Sequence, residues 1–437
     1  MYWRRNSKYS RHSYEPDIET NTEQRRSRIR LLSPGTKLYI KRLLRTRVAR
    51  VALFLFAVVN FLEVFRIHSR IAEEHKHHVA PAHHKGERIY IAAMHFNDGA
   101  LLRSHWLYSM LNLTEALGPE NIFISIYESG SWDDTKMLLE WFDGELERRQ
   151  VPHRIELSDT THLEEIKSEV RGVGWVDTPK GERSLRRIPF LSKMRNRTIK
   201  DLVDLDSQGT HFDKVLFVND VVFTVDDILT LLDTNGGDYA AACSLDFSLP
   251  PIYYDTFALR DSNGLPHATL RWPYFQSSES LNAMISNSDA VPVTSCWNGI
   301  VAMPSEPFVS STQLRFRGIP DSLAAHHLEG SECCLIHADN PLSKTLGVYL
   351  NPRVRVGYNP RAYEVTHPKT SWVSAWRIFW GLWTNRITRW ATFTFDQAVV
   401  RRRVKRWEKE DMGNSEPGVF CLINEMHVIA ENGWAHV

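Results

Sequence analysis

The stretch FDKVLFVNDVVFT, Phe212–Thr224, decides the fold of this chain. Its central run, Val215–Val218, is apolar without interruption, which predicts a strand buried on both faces, as in a parallel sheet. The run ends at Asn219 and Asp220. A buried carboxylate is unfavourable unless a partner compensates its charge, and ligands of open α/β sheets bind at the carboxyl edge. Asp220 therefore marks a candidate site.

Two interpretations of Asp220 are open from this stretch alone. In the first, Asp220 belongs to a turn that caps a helix over Thr224–Leu232. In the second, it binds a divalent cation that holds the diphosphate of a nucleotide-sugar, as the D-x-D motif does. The motif is incomplete here, because Val222 stands two positions after Asp220.

The composition is that of a globular protein whose charge is unevenly distributed. The chain has 437 residues, of which 43% are hydrophobic and 24% charged, and its net charge is +1. This length suits one large domain or two ordinary ones. The first 50 residues hold about 14 Lys and Arg against about 4 acids, so the remainder is acidic. Because nucleic-acid-binding enzymes usually carry basic charge on the folded part, we expect no nucleic-acid partner.

The amino-terminal region predicts a membrane anchor. Residues 1–47 are polar and basic, which is typical of a disordered cytoplasmic tail. Residues 48–67, with the apolar run Val51–Val59, are long enough to cross a bilayer; an amphipathic helix on the membrane surface is the alternative. The excess of Lys and Arg before this segment predicts a single-pass type II membrane protein. Residues 68–87 are a His-rich lumenal stem, and residues 88–437 are the catalytic domain.

Strand and helix patterns alternate from Arg88 onward. This alternation predicts an α/β fold with a mainly parallel sheet flanked by helices. The predicted strands begin at Arg88, Ile122, Val151 and Val215, and the predicted helices are Ala100–Leu117, Thr135–Arg149 and Phe190–Leu205.

A Trp-rich segment, Trp372–Trp407, lies near the carboxyl terminus. Its tryptophans recur at about helical spacing and are followed by the basic run Arg401–Arg406. The pattern fits an amphipathic helix on a membrane surface, and it also fits a helix that packs back on the domain.

The five cysteines lack C-x-x-C spacing, so a structural zinc site is not expected. Adjacent Cys333 and Cys334 cannot easily bridge each other, because a disulfide needs facing Cβ atoms. In an oxidising compartment at least one of them should pair with Cys243, Cys296 or Cys421.

Three acid-rich loops follow predicted strands and supply candidate ligands. They contain Asn219 with Asp220, then Asp246 with Asp255 and Asp261, and then Glu332 with His337 and Asp339. Hard cations bind carboxylate oxygens, and Mn²⁺ also accepts an imidazole. Asp220 and His337 are therefore the predicted metal pair, and Arg195 is a candidate cation for a diphosphate.

Signatures of other enzyme classes are missing from the sequence. G-x-S-x-G, H-E-x-x-H and the Gly-rich loops of P-loop and dinucleotide folds do not occur. The paired carboxylates of a glycoside hydrolase stay open, since spacing does not exclude them. Asn112 and Asn196 begin sequons, which suit a lumenal domain, although Asn196 lies inside a predicted helix.

Several motifs occur in one order over Arg88–Pro360. They are MHFN (Met94–Asn97), SIYESGSWDDT (Ser125–Thr135), RIPFLSKMRN (Arg187–Asn196), FVNDVVF (Phe217–Phe223), ACSLDF (Ala242–Phe247), YYDTFALRDSNG (Tyr253–Gly264), CWNGIVAM (Cys296–Met303) and ECCLIHADN (Glu332–Asn340). Together they resemble the fungal family of cryptococcal-type α-1,3-mannosyltransferases, which also contains capsule-associated proteins. In that family an Asn-Asp-Val form replaces the full D-x-D motif.

The resemblance implies a GT-A-like nucleotide-sugar-binding fold in a type II Golgi membrane protein. It implies transfer of mannose from GDP-mannose, with retention, to a mannoside acceptor, and a need for Mn²⁺ or Mg²⁺. A retaining transfer needs no general base, so none is assigned. The rival interpretation is a non-catalytic lumenal scaffold or polysaccharide export factor with the same fold.

The expected roles of individual residues follow from the loops and the resemblance. Donor binding is expected of Asn97, Glu128, Arg195, Asn219 and Asp220; metal binding of Asp220 and His337; catalysis of Asp220, Glu332 and Asp339; acceptor binding of Asp255, Asp261, Trp297 and Asn298; and glycosylation of Asn112 and Asn196. For Trp297, packing in the core is the alternative to stacking on a sugar ring.

Overall fold

The computed structural model describes residues 46–73, 86–168, 172–178, 181, 183–391, 395–430 and 433–437. The chain divides into two compact units, Met1–Glu63 and Val64–Val437. Almost all of the tail predicted over residues 1–47, and most of the stem predicted over residues 68–87, lie outside the described residues.

Helices and strands alternate along the described chain. The helices are α1 (Arg47–Glu73), α2 (Gly99–Leu101), α3 (Leu107–Leu117), α4 (Thr135–Arg148), α5 (His162–Lys167), α6 (Arg187–Thr198), α7 (Lys200–Ser207), α8 (Val225–Leu232), α9 (Ser278–Ile285), α10 (Glu306–Val309), α11 (Asp321–Ala324), α12 (Glu332–Asp339), α13 (Pro360–Thr366), α14 (Ala375–Ala391) and α15 (Phe395–Trp407), with a π-helical turn, Leu102–Trp106, between α2 and α3. The strands are β1 (Ile89–His95), β2 (Ile122–Glu128), β3 (His153–Leu157), β4 (Trp175–Asp177), β5 (Arg183–Leu185), β6 (Lys214–Val218), β7 (Ala241–Leu249), β8 (Ile252–Tyr253), β9 (Arg260–Asp261), β10 (Val291–Ser295), β11 (Ile300–Pro304), β12 (Glu329–Gly330), β13 (Val348–Gly357), β14 (Leu422–Ile423), β15 (His427–Ala430) and β16 (Gly433–His436).

Helix α1 contains the predicted membrane segment. Among the described residues it is the one helix long and apolar enough to cross a membrane. Its last part belongs to the larger unit, where Ile67 and Ile71 are buried in the main hydrophobic core. Because α1 runs to Glu73, the predicted stem begins later than residue 68.

The main sheet has the order β3-β2-β1-β6-β11-β7-β13-β10-β9, and β8 pairs with β7. Strands β3, β2, β1 and β6 pair with one another in parallel, and β7 pairs in parallel with β13. Strand β11 is antiparallel to both β6 and β7, and β10 and β9 are also antiparallel to their neighbours. The predicted mainly parallel sheet is confirmed in its first half; the antiparallel strands of the second half were not predicted.

The carboxyl edge of the sheet collects polar side chains. Strand β1 ends at His95 and β2 at Glu128, and both of these residues are fully buried. Strand β6 is buried along its whole length and leads into Asn219. Parallel strands end on the same edge, so these residues converge. Gly299 precedes β11 at this edge, and it must be glycine: its φ is +94°, and a Cβ there would lie 2.6 Å from Val356 Cγ2.

Helix α8 does not use Asp220 as its cap. The Thr224 hydroxyl accepts a hydrogen bond from the Asp227 N–H, and the Asp227 carboxylate accepts one from the Thr224 N–H. This reciprocal capping box satisfies the first turn of the helix. The capping interpretation of Asp220 is therefore wrong, and its carboxylate needs another explanation.

The Trp-rich segment forms α14 and α15. One face of α14 packs on the domain, because Ile378 and Leu382 belong to the main core. Asn385 is buried on the same face and donates a hydrogen bond to the Phe275 carbonyl at 2.9 Å. Packing back on the domain is thus confirmed for this face.

Two disulfides join distant parts of the larger unit. Cys243 on β7 pairs with Cys296, and Cys334 on α12 pairs with Cys421. Cys333 is buried and free. The expectation that one of the two adjacent cysteines bridges to a distant partner is confirmed, and Cys334 is that residue.

Denatured but unreduced protein should therefore react with an alkylating reagent at one cysteine, Cys333. The 87-residue separation of Cys334 and Cys421 means that Cys421→Ala should lower the free energy of unfolding by roughly 2–5 kcal/mol. Cys333→Ala is the matched control and should have a much smaller effect. Peptide mapping by mass spectrometry identifies the alkylated cysteines, and denaturant titration measures the free energy of unfolding. Alkylation of three or more cysteines would contradict this pairing.

Candidate active site

Asp220 lies beside a buried imidazole–carboxylate pair. His95 Nδ1 and Asp98 Oδ2 are 2.6 Å apart. The charges of Asp98 and His95 both act on Asp220. No hydrogen bond or ion pair from the Asp220 side chain to another residue is found within the described part of the chain. This partly buried carboxylate is therefore free to bind a ligand.

Asn219 is held from two sides by tryptophans. Trp106 Nε1 donates a hydrogen bond to the Asn219 carbonyl at 3.0 Å, and Trp297 Nε1 donates one to Asn219 Oδ1 at 3.2 Å. The Asn219 N–H donates to the Gly299 carbonyl at 3.0 Å. These contacts fix Asn219 and with it the backbone position from which Asp220 extends.

A second acid cluster lies at the end of β7. Asp246 is fully buried; its Oδ1 accepts hydrogen bonds from Asn298 Nδ2 at 2.9 Å and from the Asp255 N–H at 3.1 Å. Asp246 Oδ2 accepts one from the Tyr358 hydroxyl at 3.2 Å. The Asp255 carboxylate accepts from the N–H groups of its own loop, those of Phe257 and Ala258. A buried and a partly exposed carboxylate thus lie next to each other.

The site holds more negative charge than its neighbours compensate. Burial and the charge of Asp98 raise the pKa of Asp220 to about 7. Burial and the charge of Asp255 raise the pKa of Asp246 to about 7 as well. Burial lowers the pKa of His95, but the surrounding carboxylates outweigh burial and the pKa is raised. A cation bound here would relieve this repulsion.

The residues present fit a hard divalent cation. Asp220 offers unpartnered carboxylate oxygens, and His95 Nε2 is buried without a hydrogen-bond partner in the described chain. The described groups of three residues with ligand atoms already within 4.8 Å of each other do not include Asp220. A cation at Asp220 would thus have few protein ligands and open positions for diphosphate oxygens, which suits Mg²⁺ and Mn²⁺.

The predicted donor residues Asn97 and Glu128 hold the loop after β2. Asn97 has a left-handed φ of 53° and accepts a hydrogen bond from the Trp132 N–H at 3.0 Å. The Asn97 N–H donates to the Ser131 hydroxyl, and Glu128 accepts from the Ser131 N–H. Both residues therefore lie at the carboxyl edge of the sheet, and the hydrogen bonds described here join them to Ser131 and Trp132 in the loop after β2.

Arg195 is placed by two contacts close to Asp220. Its Nε donates to Glu332 Oε1 at 3.1 Å, and its guanidinium lies 4.6 Å from the ring centre of Trp297. The positive charge of Arg195 acts to lower the pKa of Asp220. Glu332, predicted to be catalytic, is buried and is the counter-ion of Arg195.

Three predicted acceptor residues are corrected by their burial. Trp297 is 1% exposed and Asn298 fully buried, so neither can contact a sugar in this conformation. Asp261 is buried and accepts hydrogen bonds from four N–H groups, those of Asn263, Leu265, Gln276 and Ser277. Trp297 therefore fixes Asn219, and Asp261 organises its own loop. Asp255 stays a prediction.

The metal assignment of His337 and the catalytic assignment of Asp339 are also corrected. His337 is buried, with its Nε2 at 2.6 Å from the Cys296 carbonyl, and burial lowers its pKa to about 4. The imidazole whose charge acts on Asp220 is that of His95. Both Asp339 oxygens accept hydrogen bonds from Arg317, so its carboxylate is already paired.

The two sequons differ in their surroundings. Asn196 donates to the Phe316 carbonyl at 2.8 Å and accepts from the Phe316 N–H at 2.9 Å. Its amide is therefore engaged in the fold, and glycosylation there would break both bonds. Asn112 is exposed on α3 and stays a predicted site.

Sequence reasoning missed His95, Asp98 and Tyr358. A signal existed for the first two, because His95 ends the first strand and Asp98 follows it by three residues. Tyr358 gave none, since it follows the late strand β13 and meets Asp246 only through the pairing of β13 with β7.

Comparison with known proteins gives one family and several solved structures. A family model described as cryptococcal mannosyltransferase 1 matches residues 88–339. No curated protein matches. The family match, with the mainly parallel sheet flanked by helices, confirms the predicted α/β, GT-A-like fold class.

The solved structures are distant. The mannosyltransferase PcManGT from Pyrobaculum calidifontis in complex with GDP-Man and Mn²⁺ has 10% identity and a TM-score of 0.35, over 84% of this chain and 87% of that chain. GalNAc-T7 with UDP, GalNAc and Mn²⁺ has 12% identity and a TM-score of 0.34, over 62% of this chain and 42% of that chain. S. aureus TarS 1-349 in complex with UDP-GlcNAc has 9% identity and a TM-score of 0.32, over 73% of this chain and 66% of that chain. Scores this low carry no argument about the site.

The raised pKa of Asp246 predicts how stability depends on pH. The folded group titrates near pH 7, whereas an unfolded Asp titrates near about 3.9. Between these values the folded Asp246 binds more protons than the unfolded Asp246, so its contribution to the free energy of unfolding falls as pH rises from about 4 to about 7. With metal chelated, the melting temperature of Asp246→Asn should therefore rise relative to that of the wild type as pH increases over this range.

Asp226→Asn is the matched control, because this carboxylate is exposed on α8. It should keep the wild-type slope. Asp220, whose pKa is also raised to about 7, contributes in the same direction in both proteins. Equal pH dependence of the melting temperature in Asp246→Asn and the wild type would contradict the charge excess at Asp246.

Proposed function

The chain belongs to the cryptococcal mannosyltransferase 1 family and is a glycosyltransferase, and we propose that it transfers mannose from GDP-mannose, with retention and in α-1,3 linkage, to a mannoside acceptor. The transfer would contribute to a glycan or to a cell-wall or capsule polysaccharide. The one observation that carries the proposal is the unpartnered Asp220 carboxylate at the carboxyl edge of β6.

The metal requirement rests on the charge of the site. Mn²⁺ or Mg²⁺ would be held by Asp220, with Asp98 and His95 next to it. When bound, such a cation supplies Lewis-acid stabilisation of the departing diphosphate. Asp220 must be ionised to bind it, so proton and cation compete for the same carboxylate.

Arg195 supplies a fixed positive charge at the same edge. Its position is set by Glu332 on one side and by the face of Trp297 on the other. A guanidinium held in this way can bind a diphosphate oxygen without first losing much rotamer freedom. Trp297 therefore helps to position both Arg195 and Asn219, because its ring faces Arg195 and its Nε1 donates a hydrogen bond to Asn219.

The acceptor side is assigned to the loop that carries Asp255. Tyr254 in this loop is 54% exposed, and its ring centre lies 4.5 Å from that of Tyr358. The two rings form an aromatic surface next to the partly exposed carboxylate of Asp255, a group that accepts hydrogen bonds from hydroxyl groups. This surface suits a mannoside, which offers both hydroxyls and apolar ring faces.

A membrane-bound lumenal enzyme is the proposed setting. Helix α1 meets the length and composition needed for a membrane span, and the charge difference across it favours a cytoplasmic amino terminus. We place the protein in the Golgi membrane with type II topology. The two disulfides suit an oxidising lumen.

The second candidate function is a non-catalytic scaffold or polysaccharide export factor. The observation that favours it is Val222, where a D-x-D motif has its second carboxylate. The Val222 N–H donates to the Gly357 carbonyl at 2.7 Å, so this residue serves the pairing of the backbone with β13. A site with one D-x-D carboxylate binds a cation less tightly than a site with two.

Turnover decides between the two functions. Full-length chain with Mn²⁺ should transfer mannose from GDP-mannose to an oligomannoside and use other sugar nucleotides poorly. Asp220→Asn keeps the size of the side chain but removes its charge, so turnover should fall at least about 100-fold, or roughly 2.7 kcal/mol in activation free energy. The melting temperature should not fall, since the carboxylate caps no helix.

Asp226→Asn is again the matched control and should leave turnover unchanged. Near-native turnover in Asp220→Asn would refute the metal assignment. No turnover of any sugar nucleotide by the folded wild type would favour the scaffold function.

A further inference from the structure

Helix α14 displays an apolar face to solvent. Trp376 is 67% exposed, Trp380 51%, Ile387 56% and Trp390 81%. These four residues, named the Trp face below, recur at spacings of three, four and seven residues and therefore share one side of the helix. Large side chains this exposed and this close together mark an interaction site.

The Trp face is held outward by the packing of the opposite face. Ile378 and Leu382 are buried in the main core, and Asn385 is bonded to the Phe275 carbonyl. At Gly381 the helix approaches the domain so closely that a Cβ would lie 2.2 Å from the Trp272 carbonyl oxygen. The helix cannot roll to bury the Trp face without giving up these contacts.

The next helix, α15, presents a cluster of basic side chains. Val400, Val404 and Trp407 bury its inner face. Its outer residues Arg401, Arg402, Lys405 and Arg406 are exposed, and none of them forms an ion pair within the described ranges. Two consecutive helices thus offer a Trp face and a basic face.

The N-terminal helix indicates which partner meets these helices. Ile67 and Ile71 of α1 are buried in the core of the larger unit, and the candidate membrane span lies in the same helix. One continuous helix, Arg47–Glu73, therefore carries both the candidate span and residues of the folded domain. If the span crosses a bilayer, this helix tethers the domain to that membrane.

We propose that the Trp face of α14 and the basic face of α15 form a docking surface for the phospholipid headgroup layer of the membrane that anchors the chain. Indole rings partition to the boundary between headgroups and acyl chains, with their N–H groups toward water. Arg and Lys complement the lipid phosphates, most strongly where the lipids are anionic. Docking would fix the orientation of the domain on the bilayer.

The test measures where α14 lies when the whole chain is anchored. Full-length Ile387→Cys carries an environment-sensitive nitrobenzoxadiazole label and is reconstituted at low density into phosphatidylcholine vesicles, with and without phosphatidylserine. Met137→Cys on α4 is the matched control, because Met137 is 58% and Ile387 56% exposed. Labelling is selective, since Cys333 is buried and the other four cysteines form disulfides.

At position 387 the label should shift its emission to the blue and be quenched by lipids that carry a nitroxide near the headgroup, and at position 137 it should do neither. Replacing Trp376 and Trp380 by Ser should abolish the shift, whereas replacing both by Phe should retain most of it. Charge reversal at Arg401, Arg402 and Lys405 should remove the additional shift caused by phosphatidylserine. Circular dichroism and melting curves establish that each variant is folded.

Three results would overturn the proposal. The first is a water-like spectrum at position 387 in both kinds of vesicle, and the second is equal quenching at positions 387 and 137. The third is a shift at position 387 that needs soluble oligomannoside or higher protein density instead of lipid, because that result assigns the Trp face to a glycan or to a second copy of the chain.

Discussion

The structure depends on one electrostatic constraint, a carboxylate at the end of a strand that is buried along its whole length. Strand β6 leads directly into Asn219 and Asp220. Trp106 donates a hydrogen bond to the carbonyl of Asn219 and Trp297 donates one to its side chain, so the residue before Asp220 is fixed. The helix that follows is capped by Thr224, so the fold gives the Asp220 carboxylate no structural partner. We expect a ligand to compensate the charge of Asp220. Because other carboxylates lie close by, that ligand should be a cation.

The two halves of the site have different chemical roles. The donor half combines Asp220, the His95–Asp98 pair and Arg195, so it holds charges of both signs, as a bound cation and a diphosphate require. The acceptor half combines Asp255, whose N–H is bonded to the buried Asp246, with exposed Tyr254, which suits hydroxyl groups and sugar faces. Gly299 and Asn298 connect the halves at a point where the backbone is left-handed and tightly packed. A change in this connection would therefore affect both halves.

The sequence predicted what depends on local pattern. The strands of the first sheet half, the candidate span and the position of Asp220 follow from apolar runs and chain order. The partners of Asp220 depend on which strand ends become neighbours. The imidazole near Asp220 is that of His95 and not the predicted His337. Strand β1, which ends at His95, pairs with β6, whereas the His337 ring lies against the Cys296 carbonyl. Trp297 and Asp261 have site-like residue types, but burial gives both of them positioning roles. Burial of that kind arises from the antiparallel second half of the sheet, which has no clear period in the sequence.

The central claim is that Asp220 binds a divalent cation together with a nucleotide diphosphate. Electron–nuclear double resonance on Mn²⁺ with GDP and full-length protein tests this claim directly, because ³¹P couplings report a cation bound to the diphosphate and titration of the free Mn²⁺ signal reports protein binding. The account predicts that the wild type forms a ternary complex with ³¹P coupling. Asp220→Asn should not form this complex, whereas Asp226→Asn should form it as the wild type does. A ternary complex of equal affinity and equal coupling in Asp220→Asn would contradict it.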